Sequence, residues 1–269
     1  LEGQAWVVLG DQRARLEPGD LCIAKGPEHY LVADDPATPV SIIVDPDQRC
    51  HALDGRSLVD EMLLGVRTWG NDRDGSCQML VGTYNLDSEV SRRLLRTLAA
   101  QIYLPADEWD SPLVELLATE VSSERPGQEV ILDRTLDLLL MTAVRAWLDQ
   151  PEHDAPGWYL AESDVGIGGT IRLIHEQPAH EWTVAELASE AGMSRAAYAR
   201  RFNEVVGEPP MTYLTTWRLT LAADLLREPD ATVGDVAEQV GYATPFGLSA
   251  AFKRVRGLSP TEYRRTVAA

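Results

Sequence analysis

ATVGDVAEQVGYATPFGLSAAFKRVRGLSPTEY, residues 231–263, decides the reading of this chain, because a second version lies just upstream: WTVAELASEAGMSRAAYARRFNEVVGEPPMTY, residues 182–213. Thr183, Val184, Ala188 and Gly192 recur 49 positions later as Thr232, Val233, Ala237 and Gly241. Phe202, Gly207, Pro210 and Tyr213 recur 50 positions later as Phe252, Gly257, Pro260 and Tyr263, so one residue is inserted within the second copy. A duplication of this kind implies two similar structural units in one domain.

Each copy reads as a short helix, a tight turn and a second helix. Thr183 and Thr232 are N-cap residues, and Thr183 with Glu186 fits a capping box. Leu187 with Ala188, and Val236 with Ala237, are spaced to face inward; the alanines are small enough for two helices to cross closely. Gly192 and Gly241 fall where the turn needs positive φ. Ser194 and Thr244 cap the second helices, whose apolar sides carry Tyr198 and Phe202, then Leu248 and Phe252. Between the copies, PMTYLTTWRLTLAADLLR (Pro210–Arg227) places Tyr213, Leu214, Trp217, Leu221 and Leu225 at helical spacing, a connecting helix that holds the two motifs apart.

The segment from about Asp164 to Arg265 resembles the DNA-binding domain of the AraC/XylS family of bacterial transcription regulators, most specifically through GYATPFGLSAAFKRVRGLSPTEYR. The resemblance implies that Arg195, Ala196, Ala199 and Arg200 of the first recognition helix, opened by Ser194, face a major groove. An arginine there can bond guanine O6 and N7 together, worth roughly 1–3 kcal/mol of discrimination. Arg201 is expected at a phosphate, which positions without specifying. In the second recognition helix, opened by Thr244, the groove-facing residues would be Pro245, Phe246 and Ser249. Ala250 stands where family members often have arginine. That surface has little bidentate capacity, so Lys253 and Arg254 are expected on phosphates, with the first motif discriminating and the second anchoring. The resemblance further implies a double-stranded DNA operator, an activator that contacts RNA polymerase, and recognition helices in successive major grooves about 10–10.5 bp apart.

Charge is distributed in keeping with this. The net charge is −18, but residues 164–269 hold 11 Lys+Arg against 13 Asp+Glu, and residues 1–163 hold 13 against 29. The acidic half should repel nucleic acid. The C-terminal part must concentrate its cations on one face, and Arg195, Arg200, Arg201, Lys253, Arg254, Arg256, Arg264 and Arg265 all lie in or just after the second helices. No run approaches 18 apolar residues and no signal peptide is visible, so a cytoplasmic protein with no membrane partner is expected. The chain opens at Leu1 within a strand-like pattern, and an N-terminal segment is expected to precede it.

Residues 4–44 alternate apolar and polar positions, with turns at Gly10-Asp11 and Pro18-Gly19-Asp20. Gln78–Leu86 reads as a later strand. The fold class expected is thus two-domain α+β: a cupin-like β-barrel (1–86), a helical linker and dimerisation segment (87–157), and an all-α domain with two helix-turn-helix motifs (164–269). Gly19-Asp20 through Gly26-x-x-His29 resembles part of the second cupin motif, although Ala24 stands in place of its proline. In the family the barrel senses an effector. No upstream His-x-His-x-Glu cluster is present and a lone His29 cannot hold a metal, so neither an enzyme, a metal nor a cofactor is expected. Three helices should follow: one with Leu94, Leu98 and Ile102 on one side, one with Leu113, Leu116, Leu117 and Val121, and one with Leu132, Leu136, Leu139, Ala143 and Trp147 on one side and Leu138, Met141 and Leu148 on another. Two apolar sides suit a helix that packs on the barrel and on a second subunit, giving a homodimer; burial inside one domain is the other reading. Asp149–Gly157 is a polar break, with a hinge running on to Gly169.

Cys22, Cys50 and Cys77, with His29, are the effector or redox candidates. Buried free thiols are one reading; the other is a thiol-based redox or electrophile sensor, with Cys50 beside Arg49 and His51 in the most electropositive setting. Two patterns are set aside: in His175-Glu176…His180 the spacing is one too long for a zinc helix, and Gly166-x-Gly168-Gly169 follows no strand.

Overall fold

The computed structural model describes residues 1–269 apart from 66, 73, 85–87, 110, 124, 151–154 and 268–269, and apart from the side chains of 91, 94 and 97. In chain order it forms β1 (Ala5–Leu9), β2 (Gln12–Leu16), β3 (Leu21–Ala24), β4 (Tyr30–Ala33), β5 (Ile42–Val44), β6 (Cys50–Ala52), α1 (Val59–Met62), β7 (Leu63–Gly65), β8 (Thr68–Trp69), α2 (Glu89–Thr97), β9 (Gln101–Leu104), α3 (Pro112–Val121), α4 (Gln128–Leu148), α5 (Gly157–Leu160), α6 (Ile167–Glu176), α7 (Val184–Glu190), α8 (Arg195–Val206), α9 (Pro210–Leu225), α10 (Val233–Gln239), α11 (Pro245–Arg256) and α12 (Pro260–Val267). Two compact units result: residues 1–84 with 98–154, and residues 85–97 with 155–269.

In the first unit, β1 buries Ala5, Val7 and Leu9 on one face, the period of two expected of a half-buried strand. It pairs antiparallel with β2 and β4, Val7 standing opposite both Ala14 and Val32. β3 pairs with β9, with Ile23 opposite Ile102 and Leu21 opposite Leu104. The β5–β6 and β7–β8 hairpins are separate two-stranded sheets. The expected closed barrel is therefore replaced, among the described residues, by one three-stranded and three two-stranded sheets. Strands of two to five residues, broken by Gly, Pro and Asp turns, do not hold the continuous stagger that closure requires.

Gln78 makes only an isolated bridge to Glu2, and residues 79–84 form no strand; the Leu86 end lies outside the described residues. The first expected helix stops at Thr97. Ile102 belongs to β9, where it is 1% exposed, so the spacing of Leu94, Leu98 and Ile102 spans a helix and a strand. The side chain of Leu94 is outside the described residues. The other two helices form as α3 and α4, which pack together. α4 buries Leu132, Ala143, Val144, Trp147 and Leu148, while Leu138 and Met141 stand exposed with Ile131 and Val130.

The described residues of the second unit form helices joined by turns and loops, with no strand among them. One core gathers Ile167, Ile171, Ile174, Trp182, Leu187, Ala188, Tyr198, Phe202, Tyr213 and Leu214. The other gathers Leu219, Ala222, Ala223, Leu226, Val236, Ala237, Leu248, Phe252 and Tyr263. The duplicated residues occupy equivalent places, and α9 contributes its first half to one core and its second half to the other. Part of the expected interdomain break, 151–154, lies outside the described residues. The hinge does not run to Gly169: α5, a 3-10 turn at Ala161–Ser163 and α6 are ordered against the first core, with Ala161 and Ile167 fully buried.

Candidate nucleic-acid interface

Local chemistry sets the start and stop of α8 and α11. Ser194 Oγ accepts from the Ala197 N–H at 3.3 Å and opens α8; Thr244 Oγ1 accepts from the Gly247 N–H at 3.0 Å and opens α11. Both helices end on a glycine in the left-handed region, Gly207 and Gly257, each donating its N–H back into the last turn. The preceding helices differ from expectation. Thr232 and Asp235 form a complete capping box before α10. Thr183 accepts from the Glu186 N–H, but the Glu186 carboxylate turns instead to His180 Nε2 at 2.7 Å. A competing histidine thus takes the second half of the expected box.

The two turns use glycine for different reasons. Gly192 has φ +65 and open space around the place of a Cβ. Gly241 has φ +81, and a Cβ there would lie 2.7 Å from both Cα and O of Ala179, in the loop before Trp182. The second turn is therefore seated against the first motif. Arg218 of α9 completes this junction by donating to Pro178 O and His180 O, both at 2.7 Å. Sequence reasoning missed Arg218; its only signal was that it is the one cation of α9.

At the exposed ends, Arg195, Ala196 and Arg200 of α8 are open to solvent and Ala199 is half-buried. Arg200 Nε lies 3.7 Å from Glu204 across one turn, with its side chain 76% exposed; such a pair holds an arginine weakly. Pro245 and Phe246 protrude from the first turn of α11, Phe246 at 82% exposure, and Ser249 is half-buried behind them. Lys253 and Arg254 are exposed and form no ion pair among the described residues.

Beyond the weak Arg200–Glu204 pair, three of the eight clustered cations are hydrogen-bonded to protein groups. Arg201 donates from Nε and Nη2 to Asp164 Oδ2 at 3.0 and 2.8 Å. The other Asp164 oxygen accepts the N–H groups of Ile167 and Gly166 at 3.0 and 3.1 Å, and those hydrogen bonds, with Arg201, hold its carboxyl below the usual range. Arg256 bonds Glu89, and Arg264 bonds the carbonyls of Leu226 and Ala231. The expectation of Arg201 on a phosphate thus meets a side chain already held by an aspartate 37 residues away. Behind α8, His175 Nε2 lies 2.8 Å from the Tyr213 hydroxyl, and its ring stacks on Trp217 at 4.1 Å. Burial, with the nearby Arg93 charge, pushes the imidazole down to about 4. His175 therefore packs against Trp217 and Tyr213, and His180 pairs with the Glu186 carboxylate.

In the first unit the sensor candidates are dispersed. Cys22 is half-buried in β3, opposite Tyr103 of β9, and burial raises its thiol despite a contact from Gln101. Cys50 is buried in β6, in another sheet, and the adjacent His51 bonds Asp45 at 3.1 Å, which offsets the electropositive sequence. Cys77 and His29 are exposed. All three cysteines are free thiols. The redox alternative gains nothing from this arrangement, since the three thiols lie apart and burial raises that of Cys22. No group of three or more His, Cys, Asp or Glu is placed to hold a metal among the described residues, and none of their helices is long and apolar enough to cross a membrane. A cleft of about 410 Å³ opens between Trp109, Leu113, Thr142 and Ala146.

A cupin N-terminal unit followed by a duplicated helix-turn-helix unit defines a class of transcription regulator. Residues 1–149 match the family model described as "Cupin", and residues 187–266 match the "Helix-turn-helix domain" model. A "Putative AraC-like transcription regulator" of Streptomyces lividans is 30% identical over 95% of this chain and 81% of its own length. A protein of the same description from Streptomyces antibioticus is 33% identical over 93% and 80%. The "RCS-specific HTH-type transcriptional activator RclR" of Escherichia coli (strain K12) is 32% identical over 73% and 70%. The chain belongs to the AraC family of DNA-binding transcription regulators, with a cupin N-terminal domain.

Proposed function

We propose that this chain is a cytoplasmic transcription activator, without enzymatic activity, that reads an operator with α8 and α11 under the control of a small-molecule effector held by the cupin unit. The observation that carries the reading is the sorting of cations in the second unit. Arg201, Arg256 and Arg264 are held by protein groups, while Arg195, Arg200, Lys253 and Arg254 are left at the solvent-facing sides of the two recognition helices. Arg195 and Arg200, with Ala196 and Ala199, supply base discrimination from the first motif. Pro245, Phe246 and Ser249 make apolar and weak polar contacts from the second, and Lys253 and Arg254 bind phosphates. Ser194 and Thr244 place the first turns and retain a hydroxyl proton for a phosphate oxygen.

The effector reading is supported by an open cleft of about 410 Å³ beside Trp109 and Thr142, a volume within the range of small-molecule sites. The exposed Ile131, Leu138 and Met141 on α4 support a homodimer through that helix. The activator assignment is supported by the E. coli relative described as an activator, and contact with RNA polymerase is proposed as part of it.

Selection from a random duplex pool by the full chain tests the DNA reading. The wild type enriches a defined site and the R195A/R200A variant does not; failure of the wild type to enrich any sequence overturns it. Thermal unfolding of the full chain against a metabolite panel tests the effector reading, a stabilising shift by one compound being the expected result.

A further inference from the structure

Glu89 sits in the cupin-matched part of the sequence, well before the helix-turn-helix match, yet it is built into the DNA-reading unit. Its side chain is 5% exposed. Arg256, the last residue of α11, donates to Glu89 Oε2 at 2.7 Å. Tyr263 of α12 donates to Oε1 at 3.2 Å, and Arg92 to the same oxygen at 2.8 Å. Burial raises the Glu89 carboxyl, but these donors and the Arg256 charge outweigh it and hold the group ionised, below its ordinary value.

The helix that carries Glu89 is itself anchored. Asp224 of α9 accepts the backbone N–H groups of Glu89 and Val90, the latter at 3.1 Å, and so caps the start of α2. Farther along α2, the Arg93 guanidinium lies 4.9 Å from the centre of the Tyr213 ring. α2 thus touches residues of both motifs' cores through α9, and its one buried carboxylate fastens the C-terminal end of the second recognition helix. Arg256 is itself only 20% exposed, so loss of Glu89 leaves a largely buried cation unpaired, a costly state relieved by movement of α11.

We infer that Glu89 is a positioning residue for DNA reading: through Arg256 and Tyr263 it sets the pose of α11, and α2 is the element by which the N-terminal half acts on the second recognition helix. This rests on the proposed reading of α8 and α11 as DNA readers. α2 lies between Tyr84 and Leu98, which both belong to the first unit, so an effector-linked change there would reach α11 through this carboxylate.

The test uses the full chain and the duplex that the wild type selects, with each base pair substituted in turn. E89Q and R256M should each weaken binding at least fivefold, and the double variant should be no weaker than the poorer single one, because they break one interaction. The base-substitution penalties should shrink in the block read by α11 and persist in the block read by α8. Wild-type affinity in a folded E89Q, equal losses in both blocks, or additive effects in the double variant would overturn the proposal. If E89Q does not fold, R256K, which keeps the charge but not the geometry, carries the same comparison. A wild type that selects no sequence would instead overturn the DNA reading itself.

Discussion

Asp164 binds Arg201 through one carboxylate oxygen and the first turn of α6 through the other, so a single aspartate ties the recognition helix to the helix that precedes its motif. The cation expected at a phosphate is thereby already paired within the protein. Its contribution is modest because Arg201 is half exposed. Asp164 is better shielded and also caps α6.

D164A should therefore destabilise the second unit by about 1–2 kcal/mol, and R201A by no more than about 1 kcal/mol. Neither change should alter the slope of log affinity against log salt, whereas K253A or R254A should reduce that slope by about one. Thermal unfolding and salt titration on the selected duplex check both statements. A reduced slope in R201A would return this arginine to the phosphates.

Alanine at the two turn glycines should have unequal effects. G192A meets only the cost of positive φ, about 1 kcal/mol. G241A meets the same cost and places a methyl 2.7 Å from the Ala179 backbone, so it should lose at least about 1 kcal/mol more as the two motifs are pushed apart. Chemical denaturation of the two variants compares them directly; equal losses would mean that the contact at Ala179 yields without strain.

Acidification should weaken the second unit through His175. Above about pH 6.5 the imidazole is neutral in both the folded and unfolded chain. Between 6.5 and about 4 only the unfolded chain takes up the proton, so stability falls with pH across this window and levels off below it. Solvent screening of the partly exposed ring makes about 3 kcal/mol an upper bound on the loss for this one group. Asp164 and Glu89, whose carboxyls are held low, lose their contributions at still lower pH. Denaturation at pH 7 and 5 should show a smaller difference for H175F than for wild type. An unchanged difference would assign the pH response elsewhere.

Phe246, at 82% exposure, contributes little to folding. F246A should leave the unfolding temperature unchanged and weaken DNA binding, through a lost apolar contact to a thymine methyl worth about 1 kcal/mol. Replacing thymine by uracil, position by position, should cost the wild type at one site and cost F246A nothing there. A uracil effect that survives in F246A would place the methyl contact on another residue.

The sequence is most legible where the determinants are local. Ser194 with Ala197, Thr244 with Gly247, and the closing glycines 207 and 257 act within four residues of themselves, so their duplication alone located both recognition helices. The same logic did not reveal that Arg201 and Arg256 are paired within the protein, because their partners, Asp164 and Glu89, are 37 and 167 residues away. Spacing alone presents such arginines as surface charge. Leu94, Leu98 and Ile102 kept a helical interval across a chain that turns into β9, where pairing with β3 overrides the interval. The short strands of the first unit carried the alternation of a sheet without the length that would announce how the sheets close.

A scan of every base pair in the selected duplex, binding the full chain at fixed salt, tests the central claim most directly. The account predicts two blocks of sensitive positions centred about 10–10.5 bp apart, with penalties of about 1–3 kcal/mol at guanines in the block lost by R195A or R200A, and smaller ones in the block altered by F246A. A single block, or equal penalties in both, would contradict it.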